Sequence, residues 1–212
     1  MAEAIKSCNA DIVALNEMRG NGPDSGYDPQ VQLLAEKVGF DHYYFAQATL
    51  FGGKNPYGNG LLSKYPIIQA ETIIIPDPTT KVYNSHYETR CILKAKLENG
   101  ITVLVTHFGL NPDEQENAVK TILENLENEK CILMGDFNIT PDHTLLKPIK
   151  EKMKDTADVF QETFYSFPSD KPCKKIDYIF VSNDIEVIAA DIPAIIASDH
   201  RPHTAAIQVP GI

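Results

Sequence analysis

The sequence contains no tryptophan and only 4 cysteines among its 212 residues. The cysteines are widely spaced and none forms a CxxC pair, which excludes a zinc ribbon or a dithiol redox motif. Cys91 and Cys131 lie inside short apolar runs. We therefore expect both to be reduced residues of a hydrophobic core, as in a cytosolic protein.

Long apolar runs are missing as well. The longest have about the length of a strand, so the sequence predicts no transmembrane helix. Residues 1–11 also lack the apolar segment of a secretory signal. We expect a cytoplasmic protein, with a signal peptide on a longer native chain left open as an alternative.

Basic charge is scarce, because 19 lysines and arginines stand against 29 acidic residues and give a net charge of −10. Such a balance argues against a broad basic face for binding nucleic acid. It does not exclude an enzyme that contacts a few phosphates, since bound cations can offset a local acidic cluster. No serine or cysteine occupies a nucleophile elbow or a P-loop, which disfavours covalent catalysis and nucleoside triphosphate chemistry.

Short apolar runs bounded by turn residues predict many strands, and helical patterns interrupt them at irregular intervals. Asn99-Gly100 predicts a two-residue hairpin turn. The predicted strands are 11–16, 42–46, 60–63, 67–75, 90–97, 101–106, 131–134, 176–181, 185–189 and 204–209, and the predicted helices are 1–9, 28–38, one that begins at Asn111-Pro112, and 145–153.

This order favours an α+β fold, a four-layer α/β/β/α sandwich of two mixed, mainly antiparallel sheets flanked by helices. No repeat or flexible linker divides the chain, so we expect residues 1–212 to form a single domain.

The segment CILMGDFNITP, residues 131–141, carries the strongest chemical signal. Its apolar run ends at Gly135, and Asp136 and Asn138 follow on alternate residues, hence on one side of the chain. A carboxylate at the end of a buried strand is costly unless a metal, a hydrogen bond or a reaction uses it.

Other polar residues share this position at or just after a strand. They are Glu17, His107, Asp177 within the apolar run IDYIF, and Asp199 with His200. Each alone is explained as a turn, cap or structural residue. Together they suit metal-assisted phosphoester hydrolysis, because Mg²⁺ and Mn²⁺ prefer oxygen ligands such as those of Glu17 and Asp199. A further carboxylate would deprotonate water, and imidazoles would stabilise the transition state.

Six segments in this order resemble the endonuclease/exonuclease/phosphatase superfamily, which includes pancreatic-type deoxyribonucleases, abasic-site endonucleases, neutral sphingomyelinases and inositol polyphosphate 5-phosphatases. They are ADIVALNE (10–17), LLSKYPI (61–67), VTHFGL (105–110), GDFN (135–138), IDYIF (176–180) and SDHRP (198–202). GDFN together with a distant SDH is a specific combination, and the match spans almost the whole chain.

The resemblance implies a role for each matching residue. Asp136 would activate water, Asn138 would hold water and phosphate, Asp177 would orient this region, and His200 would contact the phosphoryl oxygen in the transition state. Glu17 and Asp199 would bind the metal, Mg²⁺ or Mn²⁺. His107 matches a second histidine of the nuclease and sphingomyelinase branches.

Glu88, in the segment ETR, resembles a carboxylate that fixes His107 by a hydrogen bond. Such a bond would raise the pKa of His107 and suit it to general-acid catalysis. A surface acid at a strand edge is the alternative for Glu88.

Three basic residues are candidates for substrate binding. Arg19 matches a position that contacts substrate phosphate in some nucleases of the family, with a solvent-exposed arginine as the alternative. Lys174 and Lys175 belong to a small basic loop before Asp177, where a solvated lysine cluster is the alternative.

The sequence departs from the family at two places. Asn16 stands where the family commonly has glutamine. The family also begins with a strand that carries an active-site asparagine, whereas this sequence begins within the helix that follows. We therefore expect an unpaired sheet edge and a gap beside the metal, completed by a missing N-terminal segment or by a second chain.

The leading hypothesis is a divalent-metal-dependent phosphodiesterase in which Asp136 activates water for in-line attack. Its substrate would be a nucleic acid, a phospholipid head group or a small phosphodiester, and the lack of tryptophan and of aromatic-basic strips argues against tight binding of long DNA. The alternatives are a phosphomonoesterase of the same superfamily and a binding or regulatory module that has the fold without full activity.

Overall fold

Residues 1–160 and 164–212, which the computed structural model describes, form 11 strands and four α-helices. The helices are α1 (Ala2–Cys8), α2 (Gln30–Val38), α3 (Pro112–Asn125) and α4 (Lys147–Lys150). The strands are β1 (Ile12–Arg19), β2 (His42–Phe51), β3 (Asn55–Ser63), β4 (Ile67–Ile74), β5 (Cys91–Leu97), β6 (Thr102–His107), β7 (Cys131–Asp136), β8 (Met153–Asp155), β9 (Asp177–Ser182), β10 (Glu186–Asp191) and β11 (Thr204–Gln208).

The strands form a six-stranded sheet in the order β4-β5-β6-β7-β9-β8, a three-stranded sheet in the order β1-β3-β2, and the pair β10-β11. Neighbouring strands are antiparallel except β6 and β7, which run parallel. A parallel pair needs a crossover connection, and α3 provides it. The turn at Asn99-Gly100 joins β5 to β6, and Gly100 has the positive φ of 88° that a tight turn of this kind requires.

Three apolar clusters separate four layers. One lies between α3 and the six-stranded sheet and includes Ile122 and Leu133. The second lies between the sheets and includes Leu61 and Val105, and the third packs Val31 of α2 against the outer face of the three-stranded sheet. β6 and β7 are buried on both faces, which explains their nearly continuous apolar sequences. The predicted α/β/β/α sandwich is confirmed.

Two predicted boundaries were wrong in ways that affect the site. Residues 145–153 do not form one helix: a 3₁₀ turn, Thr144–Leu146, precedes the short α4, and Met153 already pairs with Ser182 as the start of β8. Pairing with β9 overrides the local helical pattern there. β1 continues to Arg19 instead of ending at residue 16, because Met18 and Arg19 pair with β3 beyond a bulge.

The edges of β1 and β11 face a common cavity of about 1320 Å³ that both strands line. Among the described residues, β1 pairs only with β3, and β11 pairs only with β10. Ile132 and Met134 of the six-stranded sheet also line this cavity, and its polar end contains Asp136.

The described part of the chain includes no helix with the length and apolar character needed to cross a bilayer. All four cysteines are free thiols, and Cys91 and Cys131 are fully buried, as predicted.

Gly135 allows β6 and β7 to approach closely just before Asp136. It has a φ of 147°, and a Cβ atom there would lie 1.9 Å from the carbonyl oxygen of Thr106. We expect Gly135→Ala to lower the free energy of unfolding by about 3 kcal/mol or more, because overpacking and backbone strain add. Denaturant unfolding measures the change.

Gly39→Ala is the matched control, since Gly39 has a φ of 80° with no atom within 4 Å of the added Cβ. It should cost only about 1 kcal/mol from backbone strain. Equal losses in the two variants would show that the approach of β6 and β7 is not the cause.

Candidate functional site

Three polar side chains lie in one row at the ends of three adjacent strands of the six-stranded sheet. His107 is the register partner of Asp136 in the parallel pair of β6 and β7, and Asp136 is the partner of Asp177 in β9. Because side chains alternate along a strand, this row continues the sheet face that packs between the two sheets. The row of apolar residues before it is Val105, Met134 and Ile179.

Asp136 is only 6% exposed and is hydrogen-bonded to the loop that follows it. Its Oδ1 accepts a bond of 2.8 Å from the backbone N–H of Asn138. Asn138 has a φ of 52°, a left-handed conformation that asparagine tolerates better than most residues. Its Nδ2 donates to the carbonyl oxygen of Phe108 at 3.0 Å, so the side chain is held next to the row.

Burial, and then the charge of Asp177, raise the pKa of Asp136 to about 7, while His200 and the Asn138 N–H act in the opposite direction. A carboxylate whose pKa lies near neutral pH is matched to the work of a general base.

His200 completes the row from the loop before β11. Its Nδ1 donates to Oδ2 of Asp177 at 2.8 Å, and its Nε2 lies 3.7 Å from Oδ2 of Asp136. Burial alone would lower the pKa of His200, but its hydrogen bond to Asp177 and the charges of Asp177, Asp136 and Asp199 raise it to about 9. His200 is therefore a cation at neutral pH, held beside the carboxylate of Asp136.

A second segment, residues 166–169, fixes the loop that carries His200. The Oγ of Ser169 donates to the carbonyl oxygen of Ser198 at 2.6 Å. The backbone N–H of Ser169 donates to the carbonyl oxygen of Asp199 at 2.7 Å. The ring of Phe167 lies 4.7 Å from that of His200, centroid to centroid. The sequence analysis missed this segment, because it lies about 30 residues from the loop it holds.

Asn16 was also missed as a site residue. Its Oδ1 accepts from the N–H of Asp136 at 3.0 Å, and its Nδ2 donates to the carbonyl oxygen of Thr106 at 2.9 Å. It thus ties β1 to both central strands of the other sheet. Its position at the end of an apolar strand, next to Glu17, was the available signal.

The environment of His107 differs from the expectation. Glu88 does not bind His107; its carboxylate lies 2.9 Å from Nη1 of Arg90, and the same Nη1 lies 2.8 Å from Nδ1 of His107. Burial, the cation of Arg90 and His200 hold the pKa of His107 well below its usual value. The predicted rise in pKa was wrong, because an arginine occupies the position expected for a carboxylate.

The sequence profile of the Endonuclease/Exonuclease/phosphatase family matches residues 1–200. The chain belongs to this family.

Solved structures share its fold. An endonuclease/exonuclease/phosphatase from Beutenbergia cavernae DSM 12333 superposes with a TM-score of 0.77 at 20% identity, over 98% of this chain and 65% of that one. An endonuclease/exonuclease/phosphatase from Bacteroides vulgatus superposes with a TM-score of 0.77 at 22% identity, over 98% of this chain and 88% of that one. A mannosyl-6-phosphatase from Bacteroides thetaiotaomicron VPI-5482 superposes with a TM-score of 0.74 at 16% identity, over 98% of this chain and 88% of that one. The chain thus spans under two thirds of the Beutenbergia protein.

The family implies a divalent cation, and the residues present fit one. Glu17 lies in the β1 bulge with a φ of 59°, and bulges beside active sites commonly redirect a side chain. Glu17 and Asp199 are both exposed and line the same cavity as Asp136. Their oxygen ligands suit a hard cation.

A second group, Asp136, Asp177 and His200, has ligand atoms within 4.8 Å of one another and could also hold an ion. In this group, however, Oδ1 of Asp136 and Nδ1 of His200 are already hydrogen-bonded. Glu17 and Asp199 stay predicted metal ligands.

The prediction that Lys175 contacts the substrate was wrong. It is 6% exposed, and its Nζ lies 3.2 Å from Oδ2 of the buried Asp155 and 3.4 Å from the ring centroid of Tyr178. Burial lowers the pKa of Lys175 to about 8, against the opposing effect of Asp155. A buried carboxylate requires a partner, and Lys175 supplies it.

Lys174 is exposed, as substrate binding would require. Arg19 is exposed too, but its Nη1 donates to the carbonyl oxygen of Gly26 at 3.1 Å and its guanidinium lies 5.3 Å from the ring centroid of Tyr27. Both substrate contacts stay predictions.

Proposed function

We propose that the protein hydrolyses phosphoester bonds, phosphodiesters first among them, with the help of Mg²⁺ or Mn²⁺. One observation carries the proposal: a buried carboxylate, Asp136, has a raised pKa and lies between two imidazoles, at the polar end of a cavity that Glu17 and Asp199 also line. A buried carboxylate in a cleft, with a pKa shifted by burial and by a neighbouring charge, is typical of a functional site.

Each residue of the row has a distinct task in this reaction. Asp136 accepts a proton from the attacking water, and Asn138 holds that water and the phosphate. His200, cationic through its bond to Asp177, stabilises the charge that develops on the phosphoryl oxygens. Glu17 and Asp199 would hold the cation, which supplies Lewis-acid polarisation of the phosphoryl group.

Substrate class is tested by a panel at fixed Mg²⁺. Bis(p-nitrophenyl) phosphate and p-nitrophenyl phosphate separate diesterase from monoesterase activity, and plasmid DNA, RNA, sphingomyelin and inositol phosphates identify the natural class. Salt-sensitive DNA cleavage would favour a nuclease, because phosphate contacts release counterions.

A monoesterase is the second candidate, favoured by the similarity in fold to the Bacteroides thetaiotaomicron mannosyl-6-phosphatase. A binding or regulatory module is the third. Calorimetric titration with Mg²⁺ or Mn²⁺ distinguishes the module, since no binding at millimolar metal would contradict the enzyme proposal.

The pH dependence follows from the two shifted groups. Asp136 must be deprotonated to accept a proton, so kcat/KM should rise as pH passes about 7. His200 must be protonated, so kcat/KM should fall as pH passes about 9. Asp177 raises both pKa values, so Asp177→Asn should move both limbs to lower pH. A profile whose two limbs stay in place would contradict these assignments.

We also propose that a further extended segment pairs with the free edges of β1 and β11. Support comes from the cavity between these edges, which is lined by residues of both strands and by apolar residues such as Ile132 and Met134. The segment would precede α1 in a longer polypeptide or come from a second chain. Intact mass and oligomeric state of the protein isolated from its natural source separate the two, and a monomer with the mass of the 212 residues alone would refute both.

A further inference from the structure

Arg90 immediately precedes β5 and contacts the site through one nitrogen. Its Nη1 lies 2.8 Å from Nδ1 of His107, which places a guanidinium on the side of the imidazole that faces away from the site. The carboxylate of Glu88 contacts the same Nη1 at 2.9 Å, and the side chains of Glu88 and Arg90 are only 13% exposed. The cation is therefore held in place within the protein.

This contact determines which ring nitrogen carries the proton. An arginine has only N–H donors and keeps its charge at any accessible pH. Nδ1 of His107 must therefore accept, which leaves it without a proton, and a neutral imidazole then carries its proton on Nε2.

The carboxylate of Asp136, on the opposite side of the ring from Arg90, agrees with this tautomer. Nε2 lies 3.5 Å from Oδ2 of Asp136, an acceptor for its N–H. Nδ2 of Asn138 lies 3.3 Å from Nε2 and can only donate; it donates to the carbonyl oxygen of Phe108, and its contact with a protonated Nε2 is then not a hydrogen bond. His107 itself is 5% exposed.

We propose that Arg90 is a positioning residue that fixes His107 as the Nε2–H tautomer, so that His107 acts on the reacting groups as a neutral hydrogen-bond donor. The role at the reacting groups rests on the proposed function, whereas the tautomer does not. His107 then donates through Nε2 toward Asp136 and the phosphoryl oxygens, and it does not supply the proton of the leaving group. A group other than His107 protonates that oxygen.

Nitrogen NMR of protein labelled with ¹⁵N-histidine tests the tautomer directly and needs no activity. His107→Gln assigns the His107 signals among the 6 histidines. We expect an unprotonated Nδ1 and a protonated Nε2 in the wild-type protein between pH 6 and 8. A protonated Nδ1 in the wild-type protein would overturn the proposal.

Variants at Arg90 test the cause. Arg90→Met should release the constraint, so that the His107 signals become those of mixed tautomers, while Arg90→Lys should restore the wild-type pattern in part because it remains a cationic donor. Lys94→Met is the matched control. It removes a cation from β5, the strand that Arg90 precedes, and Lys94 pairs with Glu127 and not with His107. Unchanged His107 signals in Arg90→Met would assign the tautomer to another group and refute the proposal.

Kinetics with two leaving groups tests the chemical consequence. A hydrogen-bond donor aids every substrate alike, so His107→Ala, which removes the donor, should reduce kcat/KM by a similar factor, about 10²-fold, for a p-nitrophenyl and for an alkyl phosphodiester. A general acid matters more for the poorer leaving group, so a far larger loss with the alkyl ester would refute the donor role. A third outcome separates the two proposals. If the wild-type protein has the Nε2–H tautomer but hydrolyses no phosphoester, the proposed function is rejected and the role of Arg90 in fixing the tautomer stands.

Discussion

Asp136→Asn is expected to reduce kcat/KM for a phosphodiester by about 10³-fold or more, because general-base catalysis contributes roughly 10²–10⁴-fold. The amide keeps the size of the carboxylate and can still accept the hydrogen bond from the Asn138 N–H at Oδ1. It cannot take a proton from water. Steady-state rates at saturating Mg²⁺, with the metal affinity measured separately, detect the loss.

The same substitution should leave stability unchanged or raise it at pH 8. The folded protein raises the pKa of Asp136 from 3.8 to about 7, so the folded state binds more protons than the unfolded state in this range. Stability of the wild-type protein therefore falls as pH rises through this window, and the neutral amide avoids that loss.

Asp142→Asn is the matched control, as Asp142 is an exposed acid in the loop after β7 that accepts from Thr140 at 2.6 Å. Its activity should stay near that of the wild-type protein. Wild-type turnover in Asp136→Asn would reject Asp136 as the base, and an equal loss in both variants would show that loop structure, not proton transfer, is responsible.

His200→Gln is expected to lower kcat/KM by about 10²–10³-fold, comparable to the loss of a transition-state hydrogen-bond donor. The neutral amide can still donate a hydrogen bond but carries no charge. The loss should appear in kcat more than in KM, because charge on the phosphoryl oxygens develops only in the transition state.

His200→Gln should also change the free energy of unfolding, and by an amount that depends on pH. The folded state raises the pKa of His200 from 6.5 to about 9, so its contribution to stability is complete below pH 6.5 and is lost as pH rises through 9. His200→Gln should therefore cost more stability at pH 6 than at pH 10. Unfolding in urea at both values measures the difference.

His42→Gln serves as the control for His200, because His42 pairs with Ser63 at the start of β2, on the other sheet. It should leave kcat unchanged. A His200→Gln enzyme with unchanged kcat would remove His200 from the transition state.

Local sequence patterns predicted the strands well where both faces are buried. β6 and β7 have apolar residues at nearly every position, and their limits agree with the predicted runs to within two residues. The alternation of side chains along these strands also places His107, Asp136 and Asp177 on one face.

Local sequence patterns gave wrong predictions where a partner far away in the sequence determines the structure. Residues 145–153 have a helical pattern, but Met153 finds its backbone partner in β9. Lys175 has the sequence surroundings of a surface lysine, yet Asp155, 20 residues earlier, holds it in the interior. Burial of one ion forces burial of its partner, and sequence spacing does not reveal such a pair.

The amino-acid sequence alone determined the residue types that carry the chemistry and their places at strand ends, because both follow from local polarity and from the period of a strand. Only the tertiary structure decided the electrostatic state of each group. The pKa of Asp136 is raised by burial and by Asp177, and that of His107 is lowered by burial and by Arg90. These shifts depend on distances between residues far apart in the chain, since charge interactions and desolvation act through space.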